Sequence, residues 1–115
     1  MLPETLKRLE DARLACVRIG EFTKGVSRAE FIASDLLRSA VERQVEIIGE
    51  ALGRAAAADA DADARIPQLR KIVGMRNRLI HGYDEVDYNI VWDVVTVHVP
   101  GLHRELNLVL DAGDA

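Results

Sequence analysis

The segment from Arg76 to Tyr83 holds the side chains of this chain that are best suited to chemistry. Within eight residues it carries two fixed cations, an imidazole and a phenol: Arg76, Arg78, His81 and Tyr83. An arginine can hold two phosphate oxygens through parallel hydrogen bonds, and a histidine can take or give a proton near neutral pH. Together these groups suit phosphodiester chemistry, so the segment is our candidate active site.

A wider cationic segment surrounds this motif, although the chain as a whole is acidic. The 115 residues carry 15 Lys and Arg against 19 Asp and Glu, a net charge of −4. An acidic balance disfavours a generic nucleic-acid coating protein. From Ala64 to Tyr83, however, there is no acidic residue, and the cations there are Arg65, Arg70, Lys71, Arg76 and Arg78. Such a segment can attract a polyanion locally, and the plainer alternative is a solvated helix face.

Composition and length predict one domain over residues 1–115. The single Cys16 cannot form an intramolecular disulfide, and no apolar run approaches the roughly 20 residues of a membrane span. The amino terminus lacks a signal-peptide pattern, so we expect a cytoplasmic protein. Asp59, Asp61 and Asp63 lack the glycine and the partner acid of a calcium loop, and we expect neither a metal nor another cofactor.

Apolar residues recur at helical spacing, which predicts an all-α bundle of four to five helices. The first helix should end between Gly20 and Gly25. Ser27 and Glu30 have the spacing of a capping box, and the second helical region that begins there could break near Ser34. The stretch 55–64, which alternates Ala and Asp, is expected to be a helix tail followed by a mobile acidic loop.

The second half of the chain predicts a helix that carries the motif and a long final helix. Pro67 suits the first turn of the motif helix, and Gly82 suits its end. Residues 90–99 are rich in β-branched side chains and could form a strand by propensity. Because Asp87 is a plausible N-cap and helical spacing continues past Pro100, we prefer one long helix kinked by that proline. Trp92 is then expected in the core or in a dimer interface.

Arg76 lies near the centre of the apolar arc that the motif helix forms with Leu69, Ile72, Val73, Leu79 and Ile80. A charge on a buried arc is costly unless it is paired. Three acids spaced four apart on the preceding helix could supply the partner, as could a second subunit: Glu42, Glu46 and Glu50. A purely structural ion pair is the alternative to a catalytic role.

His81 lies about 140° around an ideal helix from Arg76, so one straight helix cannot direct both side chains at one phosphate. Fraying at Gly82 could bring them together, or a two-fold axis could place the motifs of two subunits in one cleft. Asn77 and His81, four residues apart, should share a face.

Four blocks of this sequence, taken in order, resemble the HepT-like ribonucleases, which are HEPN-domain toxins. The blocks are residues 40–52, 72–83, 87–92 and 99–102. The resemblance implies a HEPN-type up-and-down helical bundle that forms a homodimer, with a metal-independent ribonuclease site at the dimer cleft. It also implies an MntA-like minimal nucleotidyltransferase as antitoxin, which transfers AMP to Tyr83. An aromatic residue that the family often has soon after Pro67 is absent here, where the chain has Gln68 and Leu69.

The combined hypothesis is RNA cleavage without a metal. His81 would act as general acid or base for attack of a 2′-hydroxyl on the adjacent phosphate, and Arg76 would stabilise the charge that develops on the phosphate oxygens. The expected supporting residues are Asn77, Arg78 and Glu46, and Tyr83 would be the modification site. The alternative is a catalytically silent HEPN dimer that binds a nucleotidyltransferase or a nucleotide.

Overall fold

Helices account for nearly all of the described chain, which in the computed structural model comprises residues 1–80 and 86–112. No strand occurs within these two ranges, which confirms the all-α prediction. In chain order the helical elements are α1 (Pro3–Thr23), α2 (Arg28–Ala33), α3 (Asp35–Ala58), α4 (Ala60–Arg65), α5 (Leu69–Ile80), α6 (Tyr88–Asp93), a π turn (Val94–His98) and α7 (Val99–Asp111).

Short polar side chains set several helix starts. The Ser27 hydroxyl accepts from the Glu30 amide at 3.1 Å, and the Glu30 carboxylate accepts from the Ser27 amide at 3.0 Å, which confirms the predicted capping box. Ser34 separates α2 from α3, and its hydroxyl accepts from the Leu37 amide at 3.1 Å. Each bond satisfies an amide that has no partner inside its helix.

The predicted mobile acidic loop at residues 55–64 is wrong. Helix α3 continues to Ala58, and the Asp59 carboxylate caps α4 by accepting from the Asp61 amide at 3.0 Å. Alanine is the strongest helix former, and the aspartates occupy the cap and first-turn positions that suit them. The low sequence complexity of this stretch therefore did not indicate the short helix α4.

Pro67 lies in the turn between α4 and α5, not in the first turn of a helix as predicted. The Leu69 amide donates to the Ile66 carbonyl at 3.0 Å and closes this turn. The Gln68 amide, at the start of α5, donates to Glu105 Oε1 of α7 at 2.9 Å. The Glu105 carboxylate, which is distant in sequence, therefore takes the place of a capping side chain near the start of α5.

The last helical region runs from Tyr88 to Asp111, as predicted, and Asp87 caps it by accepting from the Asn89 amide at 2.9 Å. The π turn before Pro100 was not predicted. There the Val99 amide donates to the Val94 carbonyl, five residues back. Because a proline has no amide to bond the carbonyl four residues earlier, a local change in the hydrogen-bond pattern accommodates it.

The core lies between α1, α3, α5 and α7, with α1 packed on α3 and α7, and α3 packed on α5. Trp92 is buried with its ring 5.1 Å from that of Phe31, so its predicted core role is confirmed. Burial in this core raises the pKa of Cys16 to about 12. Among the helices of the described ranges, none combines the length and the apolar character needed to cross a membrane.

Candidate active site

Arg76 is seated on α3 at a glycine. A Cβ built on Gly49 would lie 2.3 Å from the Cβ of Arg76 and 2.4 Å from its Cγ. No side chain fits between the helices at this point, so Gly49 allows α5 to approach α3 and lets the arginine stem pack against the α3 backbone. Helix packing therefore fixes the aliphatic part of the Arg76 side chain, which carries the guanidinium.

The guanidinium of Arg76 has one partner among the described residues. Its Nη1 donates to Asn77 Oδ1 at 3.1 Å, while its Nε is buried and has no hydrogen-bond partner there. Asn77 is neutral and cannot balance the charge of the guanidinium, and within residues 1–80 and 86–112 no carboxylate pairs with Arg76. A half-buried cation thus remains electrostatically uncompensated within the described protomer.

The acids predicted to pair with Arg76 have other neighbours, so the prediction of intramolecular suppliers is wrong. Glu46 pairs with Arg43 at 3.5 Å, and Glu50 pairs with Arg54 at 2.9 Å, each within one turn of α3. Glu42 meets α6, where hydrogen bonding to its carboxylate raises the pKa of Tyr88. Residues three or four apart on one helix are neighbours, so Glu46 and Glu50 find cationic partners within α3 itself.

The cationic segment does not form one solvated face. Arg70 binds Asp63 of α4 at 2.7 Å, and this bond holds the pKa of Asp63 below its usual value. Arg78 is exposed and lies about 200° around α5 from Arg76, because each residue turns the helix by about 100°. It lines a cleft with Lys71 and His98 of the π turn. The cations of α5 therefore serve at least two surfaces.

The remaining motif residues fall where the described range stops. His81, Gly82 and Tyr83 lie outside the described residues, and α5 extends to Ile80, directly before His81. The structure joins the side chains of Arg76 and Asn77, both on α5, by a hydrogen bond, whereas the partner of Glu46 is Arg43 of its own helix. The predicted roles of the site residues stay predictions.

Two features of this region were missed from the sequence. Gly49, in the middle of α3, could have been noticed, because a glycine inside a helix costs about 1 kcal/mol relative to alanine and often marks a close contact. The second feature joins Gln68 to His98, whose Nδ1 lies 3.3 Å from Gln68 Oε1. No local pattern links residues 30 positions apart.

Comparison with known proteins agrees with this architecture and motif. A family model described as Ribonuclease HepT-like matches residues 12–109. A protein of Caldanaerobacter subterraneus that is named as a candidate RNase is 32% identical over 102 residues, which cover 89% of this chain and 90% of that protein. The probable ribonuclease HepT of Thermococcus cleftensis is 35% identical over 94 residues, covering 82% of this chain and 84% of that protein.

A candidate RNase of Methanocaldococcus jannaschii is 38% identical over 91 residues, covering 77% of this chain and 81% of that protein. No solved structure gives a significant match. The family match spans the helices from α1 to α7 and includes the whole Arg76-to-Tyr83 segment. The chain belongs to the HepT-like ribonuclease family, which confirms the predicted family and, with it, the enzyme class of endoribonuclease.

Proposed function

We propose that this protein is a metal-independent ribonuclease toxin that cleaves RNA with Arg76 and His81. His81 takes the proton of a 2′-hydroxyl, whose oxygen then bonds to the adjacent phosphorus. The bond from phosphorus to the 5′-oxygen breaks, and that oxygen receives a proton from an imidazolium. Arg76 stabilises the negative charge that gathers on the phosphate oxygens during this step.

The observation that carries this proposal is the uncompensated guanidinium of Arg76. Its stem is fixed against Gly49, its Nε is buried without a partner, and no described carboxylate pairs with it. A cation left in this condition is costly for a protein unless an anion completes it. A phosphate diester supplies that anion, with oxygens that two guanidinium N–H groups can reach in parallel.

Asn77 supports Arg76 in this proposal by a contact that the structure shows. Its Oδ1 accepts from Arg76 Nη1 at 3.1 Å, which orients the plane of the guanidinium. Arg78 would hold the RNA backbone next to the cleaved bond. Glu46, which pairs with Arg43, would act only at a distance, through the charge of the α3 surface.

The Arg76→Lys variant tests this assignment. Lysine keeps the charge but has no planar fork, so cleavage of a defined RNA in excess EDTA should fall by at least about tenfold. Arg54→Lys is the matched control, because Arg54 is an exposed arginine of α3 that pairs with Glu50. Its cleavage rate should equal that of the wild type. Equal rates for all three proteins would make Arg76 structural and favour the catalytically silent binding module.

The active form in this proposal is a homodimer in which the two motifs share one cleft. Its support is the angle of about 140° between Arg76 and His81 on one helix, together with the missing acid partner of Arg76. Light scattering of the purified protein should give twice the chain mass of 12.7 kDa. A monomer that cleaves RNA at the full rate at micromolar concentration would contradict the shared cleft.

The proposed partner is an MntA-like nucleotidyltransferase antitoxin in the cytoplasm, and its proposed target is Tyr83. Transfer of AMP to this phenol would add bulk and negative charge where an RNA phosphate must lie. Co-expression with the cognate antitoxin should add one or more AMP masses on Tyr83 and abolish cleavage. Tyr83→Phe should escape both effects, whereas Tyr88→Phe should be modified and inhibited like the wild type. Modification at Tyr88 alone would refute the assignment of Tyr83.

A further inference from the structure

A cleft of about 340 Å³ lies between α5 and the π turn, on the side of α5 that faces away from α3. Lys71, Met75 and Arg78 line it from α5, and Val94 and His98 line it from the π turn. The three α5 residues are spaced by four and three positions, so they share one helix face. No acidic side chain is among the described residues that line the cleft.

Among the described cations that line this cleft, Arg70 is neutralised by Asp63 of α4 at 2.7 Å, whereas Lys71 and Arg78 are not neutralised. Within the described ranges, neither Lys71 nor Arg78 makes an ion pair. Elsewhere in this acidic protein arginines pair closely, as Arg13 does with Glu10 at 2.7 Å and Arg28 with Asp93 at 2.8 Å. Lys71 and Arg78 therefore remain available to an anion that enters this concave surface.

His98 is held in a fixed orientation at the opposite wall. Its Nδ1 lies 3.3 Å from Gln68 Oε1, and because a carbonyl oxygen can only accept, Nδ1 is the protonated nitrogen in this pairing. The backbone of Gln68 is in turn anchored, because its main-chain N–H donates to Glu105 Oε1 at 2.9 Å. The Nε2 of His98 makes no hydrogen bond to a described residue.

The cationic surface continues beyond His98. A Cβ placed on Gly101 would lie 3.7 Å from Gln68 Nε2 and 3.8 Å from Arg104 Nη2, so a further arginine of α7 stands beside Gln68. At its other end the surface reaches Arg78, three residues before His81. Lys71 and Arg78 are about 10 Å apart along the helix axis, far enough to contact two phosphates of an extended strand.

We propose that this cleft holds the sugar–phosphate backbone of single-stranded RNA next to the cleavage site, with Lys71 and Arg78 on successive phosphates. This inference rests on the proposed ribonuclease function and adds the path of the substrate strand. Phosphate contacts of this kind supply affinity that depends on salt and not on sequence. Contacts in this cleft would then determine how many nucleotides beside the cleaved bond the protein must hold before His81 acts on that bond.

The test measures binding of an all-2′-O-methyl 12-nucleotide strand, which has no 2′-hydroxyl to attack and so cannot be cleaved. Fluorescence anisotropy at several salt concentrations should show that Lys71→Ala weakens binding by roughly two- to fivefold. The slope of log affinity against log salt should become shallower by about 0.7 for the lost phosphate contact. Lys7→Ala is the matched control on α1 and should bind as the wild type does.

Three results would overturn the proposal that this cleft binds RNA. They are no binding by the wild type at micromolar concentration, equal binding by Lys71→Ala, or displacement of the strand by an equal concentration of AMP. The last would make the cleft a mononucleotide site. The readout also separates this inference from the ribonuclease proposal. Binding that depends on Lys71 in a protein that cleaves no RNA would keep the cleft and remove the catalysis, and cleavage with unchanged binding would do the reverse.

Discussion

Replacement of His81 by alanine should lower the rate of RNA cleavage by at least about a hundredfold, the usual contribution of one general acid or base. The wild type should keep its activity in excess EDTA, because the proposed proton transfers need only the imidazole. The measurement is single-turnover cleavage of a defined RNA by the two purified proteins at the same pH.

His103→Ala is the control for this experiment. His103 is a half-buried histidine of α7 that lines a different cavity, with Cys16 and Trp92. Its loss should leave the cleavage rate unchanged if the protein is folded. Activity that survives in His81→Ala, or that disappears from the wild type on chelation, is incompatible with the proposed chemistry.

The second large effect is expected from Gly49→Ala. The new Cβ would lie 2.3 Å from the Cβ of Arg76, an atom whose position the α5 backbone fixes. Rotation of the arginine side chain cannot relieve this contact, so α3 and α5 must separate. Overpacking of this kind costs about 1–3 kcal/mol in the free energy of unfolding. A shift of Arg76 by about 1 Å should also lower cleavage by at least tenfold.

Gly53→Ala provides the comparison one turn further along α3. A Cβ at Gly53 meets no heavy atom within 4 Å, so the substitution should stabilise the protein by about 0.5–1 kcal/mol through helix propensity. Urea denaturation and the cleavage assay should be run on both variants under conditions where each is folded. If the two alanines have the same effect, the helices are not in contact at Gly49.

Local signals in the sequence predicted the helices well because their causes are local. The capping box of Ser27 and Glu30 and the cap at Asp87 depend on bonds between near neighbours. The start of α5 could not be predicted in the same way, because Glu105 of α7 accepts from the Gln68 amide across the fold. Near Pro100 the sequence indicated a disturbance of the helix, but not that a π turn would accommodate it.

The candidate site was predicted in its residue types and only partly in its contacts. The apolar arc correctly indicated that Arg76 faces another helix, since helical periodicity fixes which face is buried. The sequence could not show which acid it would meet, because Glu46 and Glu50 find partners one turn away on their own helix. Spacing also could not reveal that Arg78 faces a second surface with His98.

The π turn lets the last helical region hold one residue more than a regular α-helix of the same rotation would. Its hydrogen bond spans five residues, from the Val99 amide to the Val94 carbonyl, so the extra residue is taken up inside a single turn. Deleting one residue from Val94 to His98 would therefore let this turn close as an ordinary α-helical turn and leave α7 close to its present rotation relative to α6. Trp92 and Leu102, which are buried on either side of the turn, would both stay in the core. The packing at this end of the bundle thus tolerates a last helical region that is shorter by one residue.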